Sequence, residues 1–397
     1  MPKIEKFKGA ISIASNSYGV PTGYGQQVQQ IADRFLKHGV KVANISNYGL
    51  EGSISAIRTK NGIIQHYPKG FKPYSDDVIP LWHEHFKQQH PDLPHVLLTL
   101  YDTWVYKDMK HEGDIWAWTP IDHTTIPPKV LEVLRQDNIK PIAMAPHGHR
   151  EMNRMGIDNV YIPHGIDTNV YKPTPDWHSQ NMRELMDVPE DAFLVTIMAA
   201  NKANGVLHRK SLAESLLAFS IFRQEEKYKN SFLYLHMEPS NAYGGFRLPA
   251  LLKACGLDEE SVRIADSAQL RTGYPQEAVA ALYSASDVVM AAALGEGFGL
   301  GTIEAQACGT RVIGSGWTAS PDLLGPSSFQ IEGQPLWNET QQAWWQVPLL
   351  SSLVQALRLA HAEERGTDEP SVDFAKQYDA DHIFETRWIP FLQERFK

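Results

Sequence analysis

The stretch Gly295-Glu-Gly-Phe-Gly-Leu-Gly-Thr-Ile-Glu304 decides how the chain is read. It follows the apolar run Val288 to Ala293, which suits a parallel strand buried on both faces, and it leads into Glu304-Ala-Gln-Ala-Cys-Gly309, which reads as helix. A glycine-rich turn between strand and helix lets the backbone approach a ligand closely, and the free N–H groups at the helix start favour an anion. The turn therefore implies phosphate. Glu296 and Glu304 lie eight positions apart with the glycines between them, and both would repel a phosphate. They suit hydroxyl groups instead. A sugar nucleotide offers both features, a diphosphate flanked by two rings rich in hydroxyls.

The 397 residues suffice for two domains, each with its own core, and 43% apolar with 21% charged residues is the balance of a soluble globular protein. No apolar run approaches the roughly 20 residues needed to span a bilayer, and Met1 to Lys8 lacks the apolar centre of a signal peptide. A cytoplasmic location, in a bacterial or virus-infected cell, is the expectation. Cys255 and Cys308 alone make neither a disulfide framework nor a cysteine metal site. Of the 37 Lys and Arg and 46 Asp and Glu, residues 1–170 hold 18 and 17, leaving 19 and 29 for residues 171–397. The first half is neutral and the second acidic. A protein that grips a phosphate backbone should show a basic surplus. The only candidate for one is a local patch of Lys3, Lys6, Lys8, Lys60, Lys69 and Lys72.

Working outward, Gly9 to Ser15 reads as a first strand, and the loop ending in Gly23-Tyr24-Gly25 leads to a helix from Gln26 to His38. The loop is not a GxGxxG fingerprint, which disfavours a nicotinamide enzyme. Further strands are expected at Val40 to Ile45, His95 to Leu100, Asp114 to Thr119 and Pro141 to Ala145, with an extra strand pair within Ile54 to Tyr67. Their ends carry Asp102, then Asp122 with His123, then the loop Pro146-His-Gly-His149. In a doubly wound sheet such ends face the ligand crevice. His147 and His149, with an Asp nearby, are also the residue types of a metal site. A second domain restarts at Phe193 to Ala199, and its loop Ala200 to Lys210 delivers Arg209 and Lys210 to the start of a helix. Two cations at a helix's positive end call for an anion. Residues 316–348, with Trp337, Trp344 and Trp345, read only as a partly extended insertion.

The motif Glu, seven residues, Glu, with the interior Gly297-Phe298-Gly299-Leu300, resembles that of family 4 of the retaining GT-B-fold glycosyltransferases. The segment Tyr161-Ile-Pro-His-Gly-Ile-Asp-Thr-Asn-Val-Tyr-Lys-Pro173 resembles the interdomain linker of the same family. The resemblance extends over nearly the whole chain. It implies an α/β protein of two facing Rossmann-like doubly wound domains. These would be an acceptor domain over residues 1–170, a donor domain over 171–378, and a C-terminal helix over 379–397 that crosses back to the first. It further implies that Glu296 meets hydroxyls of the donor sugar and Glu304 those of the ribose. Backbone N–H groups around Phe298 to Leu300 would meet sugar and phosphate, and Arg209 with Lys210 would hold the diphosphate. Gly23, Tyr24 and Gly25 would face the donor phosphate across the cleft, while Asp122 or His123 would lie beside the reacting carbon. Backbone groups at Asp266 to Leu270 would cup the nucleobase.

The activity that the resemblance implies is retaining sugar transfer from a nucleotide sugar, UDP- or GDP-linked, to an acceptor hydroxyl, without a metal or other cofactor. Asp379-Ala-Asp381 has the form of a metal-binding DxD but is read as a helix cap. A soluble glycan or protein is the favoured acceptor, and a homodimer is one of the assemblies open to the chain. Two rival readings remain. A noncatalytic sugar-nucleotide or glycan-binding module would bind without turnover. An enzyme that glycosylates a nucleic-acid base would need an aromatic, basic groove, to which Trp104, Trp116 and Trp118 could contribute.

Overall fold

The computed structural model describes residues 5–204, 207–242 and 244–396. Lys3 of the suggested basic patch lies outside them. Within the patch, Lys69 is paired with Glu51 and Lys72 with Asp76, so both charges are offset locally.

Eighteen strands are described. The first eight are β1 (Ala10–Ser15), β2 (Lys41–Ser46), β3 (Ser55–Thr59), β4 (Gly62–Tyr67), β5 (His95–Leu100), β6 (Ile115–Thr119), β7 (Ile139–Ala143) and β8 (Val160–Tyr161). They form one sheet in the order β3-β4-β2-β1-β5-β6-β7-β8, parallel except for the β3–β4 hairpin at its edge. Next come β9 (Phe193–Met198), β10 (Ala203–Asn204), β11 (Leu207–His208), β12 (Ser231–His236), β13 (Val262–Ile264), β14 (Val288–Ala291), β15 (Arg311–Ser315), β16 (Phe329–Ile331), β17 (Gly333–Asn338) and β18 (Ala343–Pro348). A second sheet runs β13-β12-β9-β14-β15-β16, all parallel.

The continuous apolar runs explain the choice of sheet. Every residue of β1 is buried, as are all five of β6, because helices cover both faces of the first sheet. Strand order reverses direction between β1 and β5 in the first sheet and between β9 and β14 in the second. Open α/β sheets bind ligands in the crevice at such reversals. The helix start that carries Tyr24 and the loop that carries Asp102 follow the strands of the first reversal, and the loops that carry Arg209, Lys210 and Glu296 leave the second.

The chain passes between the sheets at two adjacent places. Ile166 donates its N–H to the carbonyl of Tyr378 (2.9 Å) and accepts from Ala380 (2.9 Å), tying the outgoing and returning segments together. A Cβ on Gly165 would stand 2.7 Å from the Cα of Ala380, so only glycine lets the two backbones approach. The returning segment, residues 380–396, packs on the first sheet. There Phe384 and Trp388 meet Phe35, and Phe391 meets Trp116 edge to face at 4.6 Å. Asp379 accepts from the N–H groups of Asp381 and His382, which makes it the cap of this segment.

Four local readings of the sequence change. Gly23-Tyr24-Gly25 is the first turn of the helix Gly23–Lys37, capped by the Thr22 side chain, rather than a turn before it. Pro146 to His149 opens the helix Pro146–Arg154, because proline at the first helical position needs no N–H partner. The loop before Arg209 contains the two-residue hairpin β10–β11. Residues 333–348 form an antiparallel hairpin, β17–β18, that pairs with neither large sheet.

Candidate active site

Four charged side chains from three loops converge where the two sheets' reversals face each other. Arg209 donates to the carbonyl of Gly295 (2.9 Å), and its guanidinium lies 3.4 Å from Glu296 and 3.8 Å from Asp122. Lys210 pairs with the other oxygen of Glu296. The anion that faces the two cations in this structure is thus Glu296 itself. Burial would push its carboxyl up, but the charges of Lys210 and Arg209 outweigh burial and hold it below its ordinary value. Burial likewise lowers Lys210. On Arg209, burial is outweighed by Glu296, Asp122 and Asp102, which together raise it.

Two carboxylates of the first domain complete the cluster. Asp102 follows β5 and is raised to about 6, by burial first and by the charge of Asp122 second. For Asp122, burial is outweighed by the hydrogen bond from His123 and the charge of Arg209, and its carboxyl is held low. Neighbouring acids with opposite shifts distribute their protons unequally, so the pair holds one negative charge more readily than two. Tyr24 stands among the same groups, its hydroxyl pushed well up by burial and by Asp102.

His123 belongs to this cluster through Asp122 but does not face it. Its Nδ1–H donates to Asp122 (2.6 Å), because a carboxylate can only accept, and its Nε2 then accepts from the amide of Asn338 (3.2 Å). The ring is 3% exposed and stacks on Trp345, with centroids 4.8 Å apart and planes 16° apart. His123 therefore orients Asp122 and has no free nitrogen. His147 donates to the carbonyl of His123 (3.0 Å), whereas His149 turns to Asn159 and Asn153. The two rings do not converge on a common point. His164, in the linker, is buried between Trp118 and Phe298 and lowered to about 3 by burial, a packing role.

The glycine-rich loop closes against the first domain. A Cβ on Gly295 would overlap the carbonyl of Asp122, and one on Gly297 would overlap Pro120. Phe298 is buried against His164 and Tyr378. Gly299, in the left-handed region at φ 104°, precedes the helix Leu300–Ala307, and a Cβ on Gly23 would touch Leu300 at 3.2 Å. Gly25 is packed tightly on Val20. Glu304 lies apart from the charged cluster. It is 7% exposed, accepts from the hydroxyl of Tyr283 (3.2 Å), and is raised to about 7 by burial.

Sequence reasoning missed the contribution of the β17–β18 hairpin. Thr124 and Trp344 exchange both backbone hydrogen bonds (2.9 and 3.2 Å), and Gln346 donates to the carbonyl of Leu294 (3.1 Å). The hairpin thereby fastens the loop of Asp122 to the loop of Glu296. Burial alternates along Ala343-Trp-Trp as in a strand with one face inward, but both faces carry tryptophan. A bidentate pair, Arg150 with Asp322 (2.9 and 2.8 Å), joins the domains nearby. Among the described residues no helix is long and apolar enough to cross a membrane.

Known proteins share the fold, and one family model covers the segment with the glycine-rich loop. The family described as glycosyl transferases group 1 matches residues 247–335, which include that loop. The D-inositol 3-phosphate glycosyltransferase of Streptomyces scabiei is 27% identical over 234 residues, 56% of this chain and 49% of the relative. The match thus spans about half the length of that protein. Among solved structures, sucrose-phosphate synthase from Thermosynechococcus elongatus superposes with a TM-score of 0.70 at 16% identity, covering 98% of this chain and 99% of the other. Anabaena HepE, solved in complex with UDP and glucose, gives 0.67 at 14% identity, covering 98% and 100%. At such identities the likeness concerns the fold. The chain therefore has the two-domain GT-B glycosyltransferase fold, and the segment bearing its glycine-rich loop is similar to the glycosyl transferases of group 1.

Proposed function

We propose that the chain transfers a sugar, with retention, from a UDP- or GDP-linked donor to an acceptor hydroxyl, without a metal. The observation that carries the reading is the convergence of Arg209 and Lys210 on Glu296 at the reversal of the second sheet, opposite Asp122. Breaking the bond between the anomeric carbon and the phosphate oxygen places negative charge on the departing diphosphate. Fixed cations in a partly dehydrated cleft stabilise that charge more in the transition state than before it.

A donor diphosphate would take Arg209 and Lys210 away from Glu296. The freed carboxylate would accept hydrogen bonds from the sugar. Glu304, one turn into the helix Leu300–Ala307, would accept from the ribose in place of the Tyr283 hydroxyl. Asp122, oriented by His123, would face the sugar or the acceptor, and the leaving phosphate would itself take up the acceptor's proton. That same-face course, and the roles of Gly23, Tyr24 and Gly25 opposite the phosphates, belong to the proposal. The likeness to HepE, solved with UDP and glucose, supports UDP as the first donor to try.

The test is a donor screen by thermal shift and hydrolysis, with UDP-, GDP-, ADP- and dTDP-sugars, with and without EDTA. One nucleotide sugar should stabilise the protein and be slowly hydrolysed in either condition, and R209A/K210A should abolish hydrolysis. Turnover in that variant at the rate of the unmodified protein would overturn the assignment.

A further inference from the structure

The β17–β18 hairpin has two faces with different work. Its inward face carries Asn338, Ala343 and Trp345, all buried, and holds His123. Its outward face carries the cross-strand pair Trp337 and Trp344, which remain 44% and 43% exposed. Large aromatic side chains on a strand usually bury themselves, so two half-exposed indoles side by side call for an explanation.

The pair is fixed before any partner arrives. The rings meet edge to face at 5.1 Å and 65°, and the Trp337 indole N–H donates to Glu339 (2.6 Å). With its polar edge satisfied, Trp337 offers only a flat apolar surface. The backbone of Trp344 is bonded to Thr124, two residues from Asp122, so the platform abuts the loop that carries the candidate catalytic carboxylate.

Charge selects the partner. No Lys or Arg occurs between Arg311 and Arg358, and the hairpin's exposed polar residues are Gln334, Glu339, Thr340 and Gln342. A polyanion such as a nucleic acid would meet stacking surface with no cation on the hairpin itself to hold its phosphates. A second copy of the chain would find too little area, since two half-exposed indoles offer on the order of 200 Å² against roughly 800 Å² per partner in a stable interface. A pyranose ring fits. Its face of C–H groups, carrying partial positive charge, matches the negative face of an indole, and its hydroxyls match amides and a carboxylate.

We infer that Trp337 and Trp344 form a stacking platform for a neutral oligosaccharide acceptor at the mouth of the site. This rests on the transfer reading proposed above for the site itself. The platform would hold sugar units beyond the one that receives the new bond. It would thereby make the enzyme prefer a chain over a monosaccharide.

The experiment probes the full-length protein with an array of neutral and acidic oligosaccharides and a mixed-sequence single-stranded DNA, followed by calorimetric titration of the best neutral oligosaccharide. W337A and W344A should each weaken that binding roughly tenfold, and W337F/W344F should restore much of it. Donor stabilisation and donor hydrolysis, measured on the same samples, should not change. No binding of any neutral oligosaccharide, binding indifferent to the alanine variants, preference for DNA, or a dimer that the variants dissociate in sedimentation would each overturn the platform. If donor hydrolysis persists while the oligosaccharide arm fails, the platform alone is wrong. If oligosaccharide binding persists without donor response, the transfer reading is wrong and the platform stands as a binding site.

Discussion

Replacing Glu304 by glutamine should stabilise the protein above neutral pH and leave it nearly unchanged in mild acid. The carboxyl lies under Tyr283 at 7% exposure, and burial raises it from 4.5 to about 7. Below 4.5 it is protonated whether the chain is folded or not. As pH rises toward 7 the unfolded chain ionises freely while the folded one resists, so the folded state binds more protons and loses stability. At about 1.4 kcal/mol for each pH unit of separation, the loss totals about 3 kcal/mol once pH passes 7. Glutamine has nearly the shape of the protonated acid and carries no charge. E304Q should therefore exceed the unmodified protein by less than about 1 kcal/mol near pH 5 and by about 3 kcal/mol near pH 8. Asp102, also raised, contributes with the same sign in both proteins and cancels from the difference. Native-state hydrogen exchange in β14 and the helix Leu300–Ala307 reads this quantity without assuming that both domains unfold together. A variant no better protected than the original near pH 8, or equally better protected near pH 5, would refute the reasoning. The same substitution should weaken nucleotide-sugar binding, since a neutral amide accepts from ribose hydroxyls less strongly than a carboxylate.

Three other perturbations act through packing. In G297A the new methyl would overlap Pro120, which should force the domains apart, raise the radius of gyration in small-angle scattering and cost about 1–3 kcal/mol. W345A removes the ring stacked on His123; it should cost at least about 3 kcal/mol in urea denaturation and lower kcat more than it raises the donor KM. W388A uncovers Trp118 and Phe35, which it meets at 5.3 Å in both cases. It should cost about 3–5 kcal/mol, visible as a lower melting temperature of the first domain.

Much of the architecture was legible because its signals are local. The apolar runs of β1, β6 and β14 announce buried parallel strands, and the glycine-rich loop at Gly295 to Gly301 announces a close approach. That the glycines accommodate Asp122 and Pro120 was not legible, since those partners lie more than 170 positions away. The hairpin escaped for a different reason. Tryptophan stands on both of its faces, at Trp344 and Trp345, which hides the period of two that marks a strand. His147 and His149 looked like loop residues because Pro146 and Gly148 punctuate the sequence, yet proline begins a helix as readily as it ends one. The pairing of Arg209 and Lys210 with Glu296 joins loops after β9 and β14, and only the strand order places these side by side.

The paired crossing at Ile166 and Ala380 also orders events on the ribosome. Because residues 380–396 complete the core over Trp116 and Trp118, the first domain cannot finish folding until those residues have been made. The second domain, contained between the two crossings, is complete earlier. Synthesis thus runs against the usual order: the domain translated first matures after the second, with Trp116 and Trp118 lacking Phe391 and Trp388 for the whole time that the other is being built. A chaperone that shields nascent apolar surface would have its longest task at β6, and a nonsense codon near residue 379 would release a chain with one finished domain and one open one.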